Sequence, residues 1–264
     1  MTNDILAIDG GRDLGWWFDP RFNSVLLTGQ MRYIVPVQRV CVVGSSDGIG
    51  LATARALLHE GWQVIGVSRS ESPMVHQCYT HFRNDVTTLE YRELLSGWSR
   101  QGLDAVIYCV GVGERLAPGD LGRETRVFEV NLLAAVATAA IVLPPMLARG
   151  DGHLIVLSSL ADALVSDEFP SYNASKAALS AYFEGLGAAL RASGVVVSHI
   201  RFGFVDTKMA QARFRPFMLT REAAADVVIR TLRSGRRRVS APLRMALLVA
   251  VLGWLQALKR LVSR

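Results

Sequence analysis

Tyr172 and Lys176 are the residues whose types and spacing point most directly to chemistry. Side chains four positions apart on a helix share one face, so the Lys176 ammonium can lie near the Tyr172 phenol. A nearby positive charge favours phenolate and lowers a tyrosine pKa from its usual value near ~10, which permits proton exchange at neutral pH. Ser159, thirteen residues earlier, can bring a hydroxyl to the same place. A surface Tyr–Lys pair on any long helix has the same spacing, so the surrounding elements must decide between the two.

Strand-like and helical patterns alternate along most of the chain. The strand-like runs cover residues 37–43, 62–68, 81–85, 103–110, 153–159 and 195–201, with a seventh near 236–240. Helical patterns cover about 51–60, 88–101, 128–146 and 172–192. This alternation predicts an α/β fold, a Rossmann-like doubly wound parallel sheet of about seven strands with helices on both faces, in a single domain at 37–240.

Candidate ligand-binding residues follow the carboxyl ends of these strands, which is where open parallel sheets bind ligands. They are Gly44, Arg69, Asp85, Gly111, Ser159 and Gly203. Because they converge on one edge of the predicted sheet, we expect a single site there.

Residues 44–50 form a glycine-rich loop between the first strand and the first helix, with glycines at 44, 48 and 50. Strand, glycine loop and helix is the context of a dinucleotide-binding fingerprint. Glycines allow close approach to a pyrophosphate, and the helix N-terminus offers free N–H groups. Outside that context, the same residues would be a flexible turn.

The second strand ends at Ser68-Arg69 without an acidic residue. An acid at this position takes the ribose hydroxyls of NAD, whereas an arginine accommodates the 2′-phosphate of NADP. The sequence therefore favours NADP(H) over NAD(H). An ordinary loop charge at Arg69 is the alternative, and Asp47 could repel the same phosphate.

These motifs together resemble the short-chain dehydrogenase/reductase family over about residues 37–240. The residues that carry the resemblance are Gly44, Gly48, Gly50, Asp85, Val86, Asn131, Ser158, Ser159, Tyr172, Lys176 and the segment 203–207. Three positions depart from the family pattern: Val43 replaces the usual Thr, 108–111 replaces Asn-Asn-Ala-Gly, and Phe202 replaces the usual Pro. None of these departures removes a catalytic group.

The resemblance implies a role for each catalytic residue. Tyr172 would be the general acid/base, and Ser159 would hold the substrate carbonyl oxygen. Lys176 would bind the nicotinamide ribose and lower the pKa of Tyr172, and Asn131 would hold a water that relays protons. The implied cofactor-binding residues are Gly44, Ser46, Gly48, Ile49, Gly50, Arg69, Asp85, Val86, Gly111, Tyr172, Lys176, Gly203, Val205 and Thr207.

The resemblance implies interconversion of a carbonyl and an alcohol by a homodimer or homotetramer. A lid at 206–219 is apolar, which favours a small apolar substrate. Its apolar side chains, with that of Phe204, are Met209, Phe214, Phe217 and Met218. The rival hypothesis is a redox-sensing or scaffold protein that binds nucleotide without turnover.

Composition limits the other classes of function. The 264 residues are half hydrophobic, and the net charge is +6. From Arg213 to Arg264 there are twelve basic against two acidic residues, a charge of +10, which leaves −4 for the rest and argues against a nucleic-acid-binding core. Cys41, Cys78 and Cys109 fit no metal motif and indicate free thiols in the cytoplasm.

The two ends of the chain differ from the middle. Residues 1–36 show no clear period or secretory signal and are interpreted as an irregular arm. Residues 241–264 predict an apolar and basic helix, in which the uncharged stretch 245–255 is shorter than the ~20 residues that cross a bilayer. Peripheral contact with the inner face of a membrane is the hypothesis; dimer packing and burial on the protein's own core are the alternatives.

Overall fold

The computed structural model describes residues 37–209 and 215–262, together with the strand backbone at 7–8, 22–28 and 31–36. The strands are β1 (Ala7–Ile8), β2 (Phe22–Thr28), β3 (Met31–Pro36), β4 (Arg39–Val43), β5 (Gln63–Ser68), β6 (Tyr79–Arg83), β7 (Ala105–Tyr108), β8 (Gly152–Ser159), β9 (Val195–Phe202) and β10 (Arg238–Ala241). The helices are α1 (Gly48–His59), α2 (Leu89–Arg100), α3 (Gly122–Phe128), α4 (Ala134–Arg149), α5 (Pro170–Ala189), α6 (Arg221–Ser234) and α7 (Leu243–Val262).

Seven strands form one sheet in the order β10-β9-β8-β7-β4-β5-β6, and every neighbouring pair is parallel. This confirms the predicted Rossmann-like fold. The first strand of this sheet, β4, lies in its middle. The next two strands, β5 and β6, are added on one side of β4, and β7 then pairs with β4 on the other side. The carboxyl ends of β4 and β7 therefore lie side by side at the point where the strand order switches, which is the expected ligand-binding position.

Alternate residues of the central strands pack on opposite faces, because side chains of a strand alternate in direction. Val40 and Val42 belong to a core that contains Leu57 of α1 and Val228 of α6. Cys41 and Val43 belong to the other core, with residues of α2, α4 and α5. A strand covered on both faces needs a continuous apolar run, and residues 40–43 have one.

The helix that carries Asn131 is not a regular α-helix. Between α3 and α4, residues Glu129–Leu133 form a π-helical turn. Such turns occur mostly as single insertions and often at functional sites. The insertion shifts the helix phase locally at Asn131, which is fully buried there.

The N-terminal segment differs from the prediction of an irregular arm. β2 pairs with β3 in antiparallel register, with Thr28 opposite Met31, and β1 pairs with β3. The overlooked signal was a pair of β-prone runs on either side of Gly29, the composition of a tight hairpin. The other residues of 1–36 lie outside the described part of the chain, and the predicted division into domains stays a prediction.

Helix α7 follows the edge strand β10 and packs on the domain along one narrow stripe. A Cβ on Gly253 would lie 2.8 Å from the Ala163 carbonyl oxygen, and Met245 packs against Gly203. The Gln256 side chain bonds to both the N–H and the C=O of Val165, at 3.1 and 3.2 Å. The rest of α7 is exposed: among its large apolar side chains, only Val249 is buried.

Candidate active site

Tyr172 and Lys176 lie on the first turns of α5, which begins at Pro170. Proline suits the first helical position because its missing N–H has no intrahelical partner there. The Lys176 Nζ is 6.0 Å from the centre of the Tyr172 ring and donates a hydrogen bond to the Leu157 carbonyl at 3.1 Å. The Ser159 side chain interacts with the Tyr172 phenol and lowers its pKa, against the larger effect of burial. The structure thus brings the phenol, the ammonium and the serine hydroxyl together.

The electrostatics of the pair differ from the prediction made from spacing alone. Loss of hydration raises the pKa of Tyr172, the Ser159 hydrogen bond opposes this, and the Asp162 carboxylate adds to the rise. Burial lowers the pKa of Lys176 to about 8, against the raising effects of Asp162 and Cys109. The net shift of the Tyr172 pKa is therefore upward, opposite to the expected lowering, because desolvation and the Asp162 carboxylate together outweigh the effect of Ser159.

Ser159 is the last residue of β8 and begins a short 3₁₀ turn, Leu160–Ala163. Its Oγ accepts a hydrogen bond from the Ala161 N–H at 3.1 Å. This bond fixes the serine side chain at the carboxyl edge of the sheet, beside the Tyr172 hydroxyl.

Asn131 is fully buried, and its amide is well satisfied. Its Oδ1 accepts from the Val112 N–H at 2.8 Å, and its Nδ2 donates to the Val112 carbonyl at 2.8 Å and to Ser175 Oγ at 3.0 Å. A buried amide needs such partners. Asn131 therefore ties the loop after β7 to helix α5, and sequence reasoning missed both Val112 and Ser175.

Two glycines in the loop after β7 make room for Lys176 and Tyr172. A Cβ on Gly111 would lie 3.2 Å from Lys176 Nζ, and one on Gly113 would lie 3.1 Å from the Tyr172 ring. Gly111 was a predicted site residue, whereas Gly113 was not. The glycine pattern in 111–113 could have indicated it.

The glycine-rich loop after β4 is compact. Gly44 has a φ of +92°, and its N–H donates to the Val67 carbonyl at 2.7 Å. A Cβ on Gly50 would overlap the Gly44 carbonyl oxygen. A Cβ on Gly48 would lie 3.2 Å from Thr207 Cγ2, so the loop and the segment after β9 are in contact. The backbone at the start of α1 is thus left open to a close ligand, as a pyrophosphate site requires.

Asp47 caps α1 and joins the glycine loop to the lid region. Its Oδ1 accepts from the Gly48 N–H at 2.7 Å, and its carboxylate is 2.8 Å from Lys208 Nζ and 3.5 Å from Arg221 Nη1. Hydrogen bonds from Lys208 and Gly48 hold its pKa below the usual value. The charge of Asp47 is therefore offset by two cations.

The corner after β5 and β6 carries two arginines. Arg69 is exposed just beyond β5, and Arg83 donates to the Arg69 carbonyl at 3.1 Å. Asp85 accepts from the N–H and hydroxyl of Thr87 at 2.9 and 2.8 Å and from Arg126 at 2.7 Å. Burial raises the pKa of Asp85, but these bonds and the Arg126 charge lower it overall. Arg83 was missed by sequence reasoning, although it ends a strand.

The remaining predicted cofactor residues lie along the same edge. Val86 and Val205 are buried, whereas Ser46, Ile49 and Gly203 are partly exposed.

The predicted lid is anchored at both ends. The Asp206 N–H donates to the Leu219 carbonyl, and the Leu219 N–H donates to the Phe204 carbonyl, each at 2.9 Å. The Met209 methyl group would lie 3.7 Å from a Cβ on Gly111, which places it over the catalytic pair. Phe214, predicted as part of the apolar lid, lies outside the described residues.

A buried polar network behind the catalytic residues was not predicted. Asp162 and Arg201 form an ion pair with side chains 5% and 12% exposed. Asp162 also accepts from Ser180, which lies 2.7 Å from Ser158. The available signal was a charge of each sign in otherwise apolar segments, Leu160–Ala163 and β9.

Comparison with known proteins places this constellation in a family. The family model described as short chain dehydrogenase matches residues 38–216, more than half of the chain. The chain belongs to the short-chain dehydrogenase family. The resemblance is confirmed, and the protein is an oxidoreductase, a dehydrogenase/reductase enzyme.

Curated relatives and solved structures agree. An uncharacterized oxidoreductase of Myxococcus xanthus is 32% identical over 222 residues, covering 78% of this chain and 87% of the relative. One of Schizosaccharomyces pombe is 32% identical over 181 residues, covering 64% and 72%. A short-chain dehydrogenase from Burkholderia cenocepacia, in complex with NADP, has a TM-score of 0.72 at 23% identity, covering 81% of this chain and 91% of that one. One from Streptomyces avermitilis has a TM-score of 0.71 at 20% identity, covering 86% and 95%.

Proposed function

We propose that this dehydrogenase interconverts a carbonyl and an alcohol on an apolar substrate with NADP(H), using Tyr172 as general acid/base. The observation that carries the proposal is that the Tyr172 phenol and the Ser159 side chain interact, with the buried Lys176 one helical turn along α5 from Tyr172. Two hydroxyls at one point can polarise a carbonyl oxygen and exchange a proton with it.

The chain's residues fit a dinucleotide, since the glycines let the loop fold tightly at the start of α1: a Cβ on Gly50 would overlap the Gly44 carbonyl oxygen, and one on Gly44 would lie 3.1 Å from Val110 Cγ2. The nicotinamide supplies or takes the hydride. In the reductive direction, Ser159 holds the substrate oxygen while Tyr172 gives its proton to that oxygen as the carbon gains the hydride. In the oxidative direction, Tyr172 takes the proton back. Lys176 offers an ammonium next to Gly111, where a ribose hydroxyl can accept its hydrogen bond.

The preference for NADP(H) is supported by the charges at the corner after β5. Arg69 and Arg83 lie together, and the carboxylate of Asp47 is engaged by Lys208 and Arg221. Arginine suits phosphate because its planar donors can bind two oxygens at once. The relative from Burkholderia cenocepacia was solved with NADP, which agrees with this choice.

The apolar substrate class is supported by the described part of the lid. Met209, Phe217 and Met218 expose 44%, 47% and 41% of their surface at the carboxyl edge of the sheet. Exposed apolar side chains next to a polar centre are typical of a binding site for an apolar ligand. We further propose that the enzyme acts in the cytoplasm as a homodimer or homotetramer.

Titration with NADPH and NADH, followed by cofactor fluorescence, tests the proposal. Tight NADPH binding, weakened at least about tenfold by Arg69→Ala, is expected for a 2′-phosphate contact. Arg115→Ala is the matched control, because Arg115 is an exposed arginine paired with Glu168 at 2.7 Å. Equal affinity for both cofactors would overturn the preference, and binding of neither would favour the scaffold hypothesis.

We also propose that α7 lies on an anionic membrane surface. Within the part of the chain that the structure describes, two helices are long and apolar enough to cross a bilayer: Gly122–Arg149, which is half buried in the domain, and α7, of which 6% is buried. Because the stripe of α7 through Met245, Gly253 and Gln256 packs on the domain, the helix is held along the protein surface. That attachment favours a position in the plane of the interface rather than across it.

The exposed face of α7 is apolar, and its ends are basic. Its apolar residues include Leu247, Leu248, Val251, Leu252, Trp254, Leu255, Leu258, Leu261 and Val262. Arg244 lies at one end, and Lys259 and Arg260 lie at the other. Cations flanking an apolar stripe complement anionic lipid headgroups.

Co-sedimentation of the full chain with vesicles of phosphatidylcholine and phosphatidylglycerol tests this surface. Leu248→Asp with Trp254→Asp should abolish binding, and Lys259→Gln with Arg260→Gln should weaken it. Val75→Asp is the control, since Val75 is 98% exposed away from α7. If the full chain never co-sediments but dissociates to monomer with the two aspartates, α7 packs against a second copy instead.

A further inference from the structure

Asp162 and Arg201 form a closely fitted ion pair inside the protein. Arg201 donates from Nε to Oδ2 at 2.6 Å and from Nη2 to Oδ1 at 2.5 Å, a two-point contact. Their side chains are only 5% and 12% exposed. Removing two charges from water costs about as much as their attraction returns, so an apolar pair of similar size would hold the fold equally well. Stability alone therefore gives little reason for this pair.

A hydrogen-bonded chain leads from the ion pair to the catalytic helix. Asp162 Oδ2 accepts from Ser180 Oγ at 2.6 Å, and Ser180 Oγ lies 2.7 Å from Ser158 Oγ. The Ser158 hydroxyl is 3.3 Å from the carbonyl oxygen of Lys176. Tyr172, Lys176 and Ser180 are four residues apart in turn, so they share one face of α5. The carboxylate thus lies one helical turn beyond the Lys176 ammonium.

The pair also joins the two segments that border the substrate side of the site. Asp162 is in the 3₁₀ turn that follows Ser159, and Arg201 is on β9 two residues before Gly203. A change in the pair would move both the serine and the start of the lid.

We propose that Asp162 and Arg201 are positioning residues. The Asp162 carboxylate keeps the buried Lys176 ammonium charged, and Arg201 limits the effect of the Asp162 carboxylate on the Tyr172 phenol. The proposal rests on the proposed function for its consequence in turnover, but its physical content is a property of the free protein.

The charges around the pair support this assignment. Burial lowers the pKa of Lys176 to about 8, and Asp162 and then Cys109 oppose that fall. The same carboxylate raises the pKa of Tyr172. Arg201 offsets part of the negative charge.

On the far side of Asp162 lies the buried His199, whose pKa is lowered mainly by burial. Glu184 and Asp162 raise the pKa of His199, and Arg238 and Arg201 lower it. Glu184 lies on α5 and pairs with Arg238 at 3.1 Å, so the charges of these two residues offset each other beside His199, as those of Asp162 and Arg201 do.

The test measures the ionisation of Lys176 directly, without substrate. The chain has three lysines, Lys176, Lys208 and Lys259, so ¹³Cε-lysine spectra are simple, and Lys176→Met identifies the signal. Asp162→Asn should lower the pKa of Lys176 by about one unit, because the opposing charge is lost. Arg201→Met should raise it, because nothing then offsets the carboxylate, and Arg201→Lys should restore the wild-type value.

Glu60→Gln is the matched control, since Glu60 pairs with Arg233 at 2.8 Å on the other face of the sheet. It should leave the Lys176 titration unchanged. Equal shifts in one direction for Asp162→Asn and Arg201→Met, or no shift in either, would contradict the proposal and indicate a purely structural pair. If Asp162→Asn does not fold, the two Arg201 variants decide the question alone.

Turnover provides a second readout, with NADPH and phenanthrenequinone as the carbonyl probe. The pH–rate profile of Asp162→Asn should move to lower pH and that of Arg201→Met to higher pH. A wild-type protein that binds NADPH but reduces no carbonyl would count against the proposed function, while the lysine titration would still decide the role of the pair.

Discussion

Helices α5 and α7 are both twenty residues long, and they differ in that α5 buries several polar side chains whereas α7 exposes most of its apolar ones. α5 buries polar groups, among them Ser175, Lys176 and Ser180. α7 instead leaves most of its leucines and its tryptophan in solvent. Folding alone favours burial of apolar side chains and exposure of polar ones.

Each helix departs from the stable pattern along one face. The polar groups of α5 meet the catalytic residues and the network behind them, whereas the apolar face of α7 has no partner among the described residues. The comparison teaches that buried polar and exposed apolar residues are the informative ones, and each can be tested by restoring the ordinary pattern.

The largest effect is expected on turnover, from a substitution on α5. Tyr172→Phe removes one hydroxyl and should lower turnover by about 10²–10⁴-fold, the usual contribution of a positioned proton donor. NADPH affinity should change little, because the ring still packs on Gly113. Stopped-flow turnover and fluorescence titration measure the two quantities. Retained turnover would assign the proton transfer to another group.

Lys176→Met replaces the buried ammonium of α5 by an apolar side chain. The protein should become more stable and should lose turnover. The pKa of Lys176 is about 8 in the folded protein and 10.5 in its unperturbed state. Between these values the unfolded chain binds the extra proton, so the stability contributed at this position rises with pH. Below pH 8 the buried charge carries its full cost. The variant's advantage should therefore be largest near pH 7 and should shrink by roughly 1–3 kcal/mol towards pH 10.

Urea unfolding of both proteins between pH 6 and 10 checks this. Cys41 and Cys109, whose pKa values burial raises to about 12, contribute to the pH dependence of both proteins. Subtracting the two free energies of unfolding leaves the contribution of position 176. A pH-independent gap would mean that Lys176 is neutral throughout or remains hydrated.

Much of this architecture could be predicted from residues close together in the chain. The buried run before Gly44 and the glycines after it are local signals, and the rule for parallel sheets then brings Ser159 and Gly111 to the same edge. The strands of the N-terminal segment were also locally encoded and were missed.

The electrostatics and the long-range partners could not be predicted in the same way. Asp162 and Arg201 are 39 residues apart, and their contact depends on the pairing of β8 with β9. The direction of the Tyr172 pKa depends on burial, which residue spacing does not reveal. Asn131 was identified through the family resemblance, but its partner Val112 depends on the path of the loop.

Replacing one glycine of each helix by alanine compares how closely α5 and α7 pack at those positions. Gly185 on α5 has open space around its Cα, so Gly185→Ala should stabilise the protein by roughly 1 kcal/mol through helix propensity. Gly253 on α7 lies against the Ala163 carbonyl, where a Cβ would approach to 2.8 Å. Gly253→Ala should lose that gain and destabilise the docked helix. Equal gains in thermal unfolding would show that α7 does not pack closely on the 3₁₀ turn.

The smallest effect is expected at Gln256, the polar contact of α7 with the domain. Gln256→Ala removes two exposed hydrogen bonds to Val165 and should cost about 0.5 kcal/mol, since water can replace each partner. Gln256→Glu keeps an acceptor for the Val165 N–H but leaves its carbonyl without a donor, so it should cost about half as much. Hydrogen exchange at Val165 separates the two variants, because the N–H should be protected in Gln256→Glu and exposed in Gln256→Ala. Equal protection in both would mean that the apolar stripe through Val249 holds α7 without this contact.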